Sequence, residues 1–277
     1  MISNLVKRLL LLSCLLAPLL AADSLRFDIS REMGFTGRGE SVQVFVPADW
    51  PSGGPEVWIH FHGSADTVGQ VWRELRQPRL LVVVQRGSYT SSYSRYFEAG
   101  NTAQTFLEDL ADAMAKKGIA IDTRITRYWL SSFEVGYTAI RGFLRSPAIY
   151  ARTAMVVLAD GLHANSRPVL LQEQMSSFVR YARDAKDRQK TMVISYSEFD
   201  PQIYASTTKT ANHIINELQI SRRAVDKTDS IGHRTTEVIE GQLTILGYAG
   251  AEHEDHLKHF EGIRLLMLTG LTISLNP

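Results

Sequence analysis

Five residues near the middle of the chain, Ser132-Phe133-Glu134-Val135-Gly136, have the spacing of a nucleophile elbow. In such a turn a strand stops, a helix starts, and the apex side chain projects from the junction. The chain folds back against the residues two before and two after the apex, so both must be small. Ser132 and Gly136 meet that condition for Glu134. Ser131 does not qualify as apex, because its outer neighbours are Trp129 and Phe133. Ser132 fails as well, flanked at the same distance by Leu130 and Glu134. The apex is therefore expected to carry a carboxylate. A serine attacks a carbonyl only after a histidine removes its proton, whereas a carboxylate needs no such activation. Glutamate is also one methylene longer than aspartate, which moves its oxygens by over ~1 Å. Misplacement on that scale can cost roughly a hundredfold in rate. A carboxylate there could instead fill the anion pocket beside it and block the site.

Other chemistry-bearing residues follow short apolar runs. His62-Gly63-Ser64 succeeds the run 56–61, where Gly63 or Ser64 would offer one backbone N–H of an oxyanion hole and Val135 the other. Asp160 succeeds the run 153–159, and Glu198 and Asp200 succeed the run 190–196. Any of these could orient a histidine, and all are also residue types that serve as helix caps and turns. After the last run comes His253-Glu254-Asp255-His256-Leu257-Lys258-His259. His256 is the first candidate for the base and His253 the second. A metal site is a further possibility to weigh, from His60-x-His62 with Asp66 or from the three histidines at steps of three. The first set lacks a histidine directly after the aspartate, and neighbouring turns of one helix rarely close a tetrahedron. The expectation is no metal and no cofactor.

The elements that must position these residues are legible as a rhythm. Apolar runs at 56–61, 80–85, 127–132, 153–159, 190–196 and 242–248 alternate with helical patterns at 101–117, 135–145, 168–186, 206–218 and 255–268. Unbroken runs such as Leu80-Leu81-Val82-Val83-Val84 suit strands buried on both faces of a parallel sheet. Residues 25–29 and 42–46 alternate instead, as strands with one wet face do. Residues 51–55 read as a turn, and residues 88–94 as a polar, exposed-looking stretch that is either a binding loop or only a connection. Strand–helix alternation specifies an α/β protein: a three-layer α/β/α sandwich with a mostly parallel sheet. Ligands in such sheets bind beyond the carboxyl ends of the strands, where the residues above cluster. Trp58, Trp72, Tyr89, Tyr93 and Tyr96 either line a pocket there or fill the core.

Several segments are similar to those of secreted bacterial α/β-hydrolases of the esterase and lipase type. Leu130-Ser131-Ser132-Phe133-Glu134-Val135-Gly136-Tyr137 resembles an elbow that reads Ser-Ser-Phe-Ser-Ala-Gly-Tyr in that group. Leu158-Ala159-Asp160-Gly161-Leu162-His163-Ala164, Ser197-Glu198-Phe199-Asp200-Pro201, Tyr204-Ala205-Ser206-Thr207 and Asp255-His256-Leu257 are similar to further segments, and the likeness spans roughly residues 56–260. It implies an esterase-like triad with Asp160 or Glu198 as acid and His256 as base. It also implies that Glu134 stands where the group has serine. The expected role is then either a degenerate site that binds a small-molecule or ester-containing ligand, or a hydrolase that uses Glu134.

Composition excludes some alternatives. The chain has 277 residues, 44% hydrophobic and 21% charged, with a net charge of +1. That size fits one α/β domain, over residues 23–277, and the near-zero charge gives no basis for nucleic-acid binding. Lys7 and Arg8 precede an apolar run at 9–21 that ends in Ala21-Ala22. A basic head, a short apolar stretch and a small-residue exit describe a signal peptide over residues 1–22, too short for a stable membrane span. The expected location is periplasmic or secreted. The single cysteine, Cys14, lies inside that segment and follows Leu11-Leu12-Ser13, a loose lipoprotein-like match that the continuing apolar run argues against.

Overall fold

A computed structural model describes residues 24–50, 56–124 and 126–275. The expected signal peptide, Cys14 and the turn at 51–55 lie outside the described residues. The ten strands are β1 (Leu25–Asp28), β2 (Glu40–Val46), β3 (Glu56–Phe61), β4 (Leu80–Arg86), β5 (Arg127–Phe133), β6 (Thr153–Ala159), β7 (Thr191–Tyr196), β8 (Arg223–Thr228), β9 (His233–Glu240) and β10 (Leu243–Tyr248). They form one sheet in the order β1-β2-β4-β3-β5-β6-β7-β10-β9-β8. From β4 to β10 every neighbouring pair is parallel. The margins are antiparallel: β1 and β2 on one side, β9 and β8 on the other.

The parallel centre follows from the apolar runs. In β4, Leu80, Val82 and Val84 face one core, while Leu81 and Val83 face the other. A strand with apolar side chains on both faces can sit only between two covering layers. One layer comprises α2 (Thr90–Phe97), α3 (Thr102–Ala115), α4 (Tyr137–Arg145), α5 (Pro147–Arg152), α6 (Pro168–Lys186) and α7 (Thr207–Glu217). On that side Phe61, Phe97, Phe106 and Phe143 pack ring against ring with centroids 5.3–6.1 Å apart. The other layer holds α1 (Ala65–Glu74), α8 (His253–Glu261) and α9 (Ile263–Leu275). Trp58, Trp72, Leu266 and Met267 bury there. No helix among the described residues is long and apolar enough to cross a membrane.

Helix starts match local chemistry. Pro147 and Pro168 open α5 and α6, where a missing N–H costs nothing. Ser206 caps α7 by accepting from Lys209 N–H. Gly262 separates α8 from α9, so the single helix read over 255–268 is two. Residues 88–94 are not a loose connection either. Tyr93 and Phe97, one turn apart on α2, are fully buried, and that pairing draws the segment into a helix against α4. Tyr89 at its start stays 75% exposed, whereas Trp58, Trp72 and Tyr93 belong to the core.

Candidate functional site

The turn after β5 is an elbow with Glu134 at its apex. Glu134 has φ 45°, in the left-handed region that a side chain normally avoids. Gly136 shows why the turn needs a small residue two positions on. A Cβ built there would lie 2.2 Å from the carbonyl oxygen of Phe61 at the end of β3. Gly161, just after β6, is pressed from the other side, since its Cβ would lie 2.4 Å from Glu134 N. His62 and Asp160 also carry positive φ, 68° and 36°. Left-handed non-glycine residues cost ~1–3 kcal/mol each and gather where function holds them. Here three of them directly follow the adjacent strands β3, β5 and β6. Gly136→Ala is expected to destabilise the fold by about 3 kcal/mol, since a backbone carbonyl cannot yield as a side chain would. The thermal midpoint should fall by ~6–12 °C, and an unchanged midpoint would contradict this account of the turn.

The end of β6 brings a carboxylate to His256. His256 Nδ1 donates to Asp160 Oδ2 at 3.0 Å across a span of 96 residues. Both side chains are 5% exposed. The His256 ring lies between Phe133 and Phe199, with centroids at 4.8 and 5.8 Å and near-parallel planes. Ser197 Oγ–H also donates to Asp160 Oδ2, and His259 Nε2 is 4.0 Å away. Burial works to raise the Asp160 pKa, but the His256 hydrogen bond and the field of His259 outweigh it and hold it at about 2. Glu198, the other acid expected from sequence, is exposed, and its backbone N–H donates to Gly250. Asp200 pairs with Lys209 at 2.8 Å. The structure therefore brings Asp160, not Glu198 or Asp200, to His256. Strand β6 ends beside β5, whereas the loop after β7 carries its carboxylates outward.

The Glu134 side chain has its own partner, which the sequence reading did not single out. His62 Nε2 is 3.2 Å from Glu134 Oε2, and the Tyr93 hydroxyl is 3.3 Å from His62 Nδ1. The His62 hydrogen bond lowers the Glu134 pKa against the opposing effect of burial, with His256 and His163 adding to it. Glu134 is thus an ionised carboxylate, with its side chain 36% exposed. His62 is held in turn from beneath. Trp58 Nε1–H donates to Ser131 Oγ at 2.6 Å, and Ser131 Oγ lies 2.8 Å from His60 Nδ1. His60 Nε2 lies 2.9 Å from the carbonyl oxygen of His62. The Trp58 indole can only donate, which passes the Ser131 proton to Nδ1 and leaves Nε2–H to bond the carbonyl. Burial pushes the His60 pKa down to about 3, consistent with that neutral tautomer.

The expected anion hole differs from its sequence reading. Gly63 N–H donates to Gln85 Oε1 at 3.1 Å, so it is engaged within the protein. Ser64 is the N-cap of α1, its side chain accepting from Thr67 N–H at 3.3 Å. Val135 sits in the turn directly after Glu134 and is buried. Nothing in the run His62-Gly63-Ser64 announces the Gln85 contact, which comes from the neighbouring strand. His163 completes the surroundings, packed against Tyr204 and Tyr137 at 4.9 and 5.6 Å. Burial lowers its pKa to about 4.

The residues weighed for a metal do not converge. His60 spends both ring nitrogens internally, and Asp66 pairs with Arg26 on the surface at 2.6 Å. His259 Nδ1 bonds Ser195 Oγ at 2.8 Å, while His253 packs beside Phe199. Among the described residues no group of three or more His, Cys, Asp or Glu side chains could hold a metal ion.

No protein-family model matches the chain, and no curated protein matches it. Solved structures do. The enterobactin esterase of Shigella flexneri superposes with a TM-score of 0.51 at 12% identity, covering 92% of this chain and 60% of that one. An uncharacterised protein from Capnocytophaga ochracea gives 0.49 at 8% identity, covering 90% and 64%. A glucuronoyl esterase from Solibacter usitatus gives 0.43 at 12% identity, covering 83% and 77%. The chain thus spans less than two thirds of the length of the first two. Identities this low speak to the fold alone. The strand order and the superposition on the Shigella flexneri esterase give this chain an α/β-hydrolase-like fold, a mostly parallel sheet between two helical layers.

Proposed function

We propose that this is an exported α/β-hydrolase-fold protein whose elbow no longer hydrolyses esters and instead binds a small ligand. The observation that carries the reading is the Glu134 carboxylate, ionised and hydrogen-bonded to His62 at the apex, beside an intact His256–Asp160 pair. His256 finds no hydroxyl proton to take at the apex. A tetrahedral intermediate would place a second negative charge near that carboxylate. At 4 Å such a pair costs about 4 kcal/mol in a partly solvated site, or roughly a thousandfold in rate. The carboxylate offers acceptors, so the ligand it suits presents N–H or O–H groups to it.

A second reading is favoured by the exposure and ionisation of Glu134: an ester intermediate formed by direct carboxylate attack. Glu134→Gln separates the two, because it keeps the size and removes the nucleophile. Wild type and Glu134→Gln should both stay at background on p-nitrophenyl acetate and butyrate. Activity in wild type that disappears in Glu134→Gln would favour the carboxylate nucleophile. Equal activity in both would place the reactive centre elsewhere.

The export part of the proposal rests on Lys7, Arg8 and the apolar run 9–21. Mature protein recovered from the periplasm of a bacterial host should begin near Ala22 or Asp23. Intact Met1 by mass spectrometry would count against it, and a fatty-acid label on Cys14 would mark a lipoprotein instead.

A further inference from the structure

At the opposite edge of the sheet from Glu134 lies a cavity of about 510 Å³. It sits at the amino ends of β3, β5, β6 and β7, under the end of α9. The seven residues of β5 separate it from the elbow, ~20 Å at strand rise. Four cations line it, Arg79, Arg127, Arg152 and Lys190, against one carboxylate, Glu56. Glu56 is already shared, since it pairs with Arg79 and lies 3.5 Å from Arg127 Nη1. Arg79 lies flat on Trp129, its guanidinium carbon 3.3 Å from the ring centroid. Lys190 Nζ is fixed by carbonyl oxygens of Thr153 at 2.9 Å and Ala151 at 3.4 Å, which carry no full charge. Arg152 Nη1 donates to the Arg124 carbonyl, while its Nε is buried with no hydrogen-bond partner. Burial lowers the Lys190 pKa against the opposing field of Asp184, with Arg127 and Arg180 adding to the lowering.

Four cations against one carboxylate in the lining make this concave surface positive, and its shape focuses the potential. Guanidinium forks held by stacking and by carbonyls are preorganised for the planar or tetrahedral oxygens of carboxylate and phosphate. The volume is that of a small-ligand site. We propose that this basal cavity binds a small molecule carrying two or more oxyanion groups, phosphate or carboxylate. Arg127 and Arg152 supply the charge, and the Arg79–Trp129 stack forms one wall. The site is independent of the elbow and of the reading given to Glu134.

Titration calorimetry of the purified chain with inorganic pyrophosphate and with citrate tests this. At least one probe should bind saturably, and more weakly as sodium chloride is raised. Arg127→Gln/Arg152→Gln should weaken that binding at least tenfold. Glu56→Gln removes the one carboxylate in the lining and should tighten it severalfold, and Glu134→Gln should leave it unchanged. The opposite signs of the two basal variants keep the test decisive if the double variant folds poorly, which its thermal midpoint will show. No saturable binding of either probe, or a Glu56→Gln variant that binds no more tightly, overturns the proposal. So does sedimentation with phosphatidylglycerol vesicles in the absence of pyrophosphate or citrate binding, which would assign the charge to a lipid surface.

Discussion

Glu134→Ser is expected to give the chain weak serine-type esterase activity. The elbow that would hold the new hydroxyl already has the required left-handed apex and the close approach at Gly136. His256 is hydrogen-bonded to Asp160 at 3.0 Å, the pairing a base and its acid would need. The substitution also removes the carboxylate that opposes a developing oxyanion. Hydrolysis of p-nitrophenyl acetate should rise at least tenfold over wild type, and a fluorophosphonate probe should label the variant and not wild type. The gain should be limited by the hole, because Gly63 N–H is engaged by Gln85. Removing one such donor typically costs ~10²–10³ in turnover. Glu134→Ser/Gln85→Ala should therefore exceed Glu134→Ser by up to about a hundredfold. If Glu134→Ser folds normally yet neither labels nor hydrolyses, the elbow assignment for residue 134 loses its chemical support.

Stability should fall steeply on mild acidification. His60, His163 and His259 are buried, and burial lowers their pKa values to about 3, 4 and 4. Asp160 pulls in the opposite direction on His163 and His259, and burial prevails. Unfolded, each histidine would titrate near its ordinary value of 6.5. Between these limits the unfolded chain binds more protons than the folded one, so unfolding free energy rises with pH. This contribution is complete above 6.5 and is lost as pH falls toward 4. From pH 7 to pH 5 each histidine that stays neutral costs up to about 2 kcal/mol. Three together are comparable with the whole stability of many domains. Asp160 acts in a lower window: its depressed pKa stabilises the fold above about 4, and that is lost as pH falls toward 2. Urea unfolding at pH 7.5, 6 and 5 measures the first window directly. A midpoint that stays level from 7.5 to 5 would mean that these rings are protonated or hydrated in the native state.

Much of the architecture follows from sequence because its causes are local or periodic. A run such as Leu80-Leu81-Val82-Val83-Val84 has no polar face, so it demands cover on both sides wherever it sits. The elbow is legible for the same reason: Ser132 and Gly136 flank Glu134 within one turn of chain. Position after the last central strand points to the stretch His253–His259, with His256 as first and His253 as second candidate, because the order of elements constrains where a loop can reach. Where a segment lacks a strong period, the reading weakens. Residues 88–94 look polar, and their helix exists because Tyr93 and Phe97 find a buried partner surface on another element.

What the tertiary structure alone decided is which groups became partners. Asp160 and Glu198 stand at equivalent strand ends in the sequence, and only the geometry of adjacent strands gives His256 to Asp160. The His62–Glu134 pair spans 72 residues, and the Gln85 contact that occupies Gly63 comes from the strand beside it. The basal cavity gathers Arg79, Arg127, Arg152 and Lys190 from four different strand starts. Sequence spacing fixes which face of its own element a residue occupies. Hydrogen bonds between elements depend on register and side-chain direction to within about half an ångström, and those are set only when the sheet closes its order and the helices pack down.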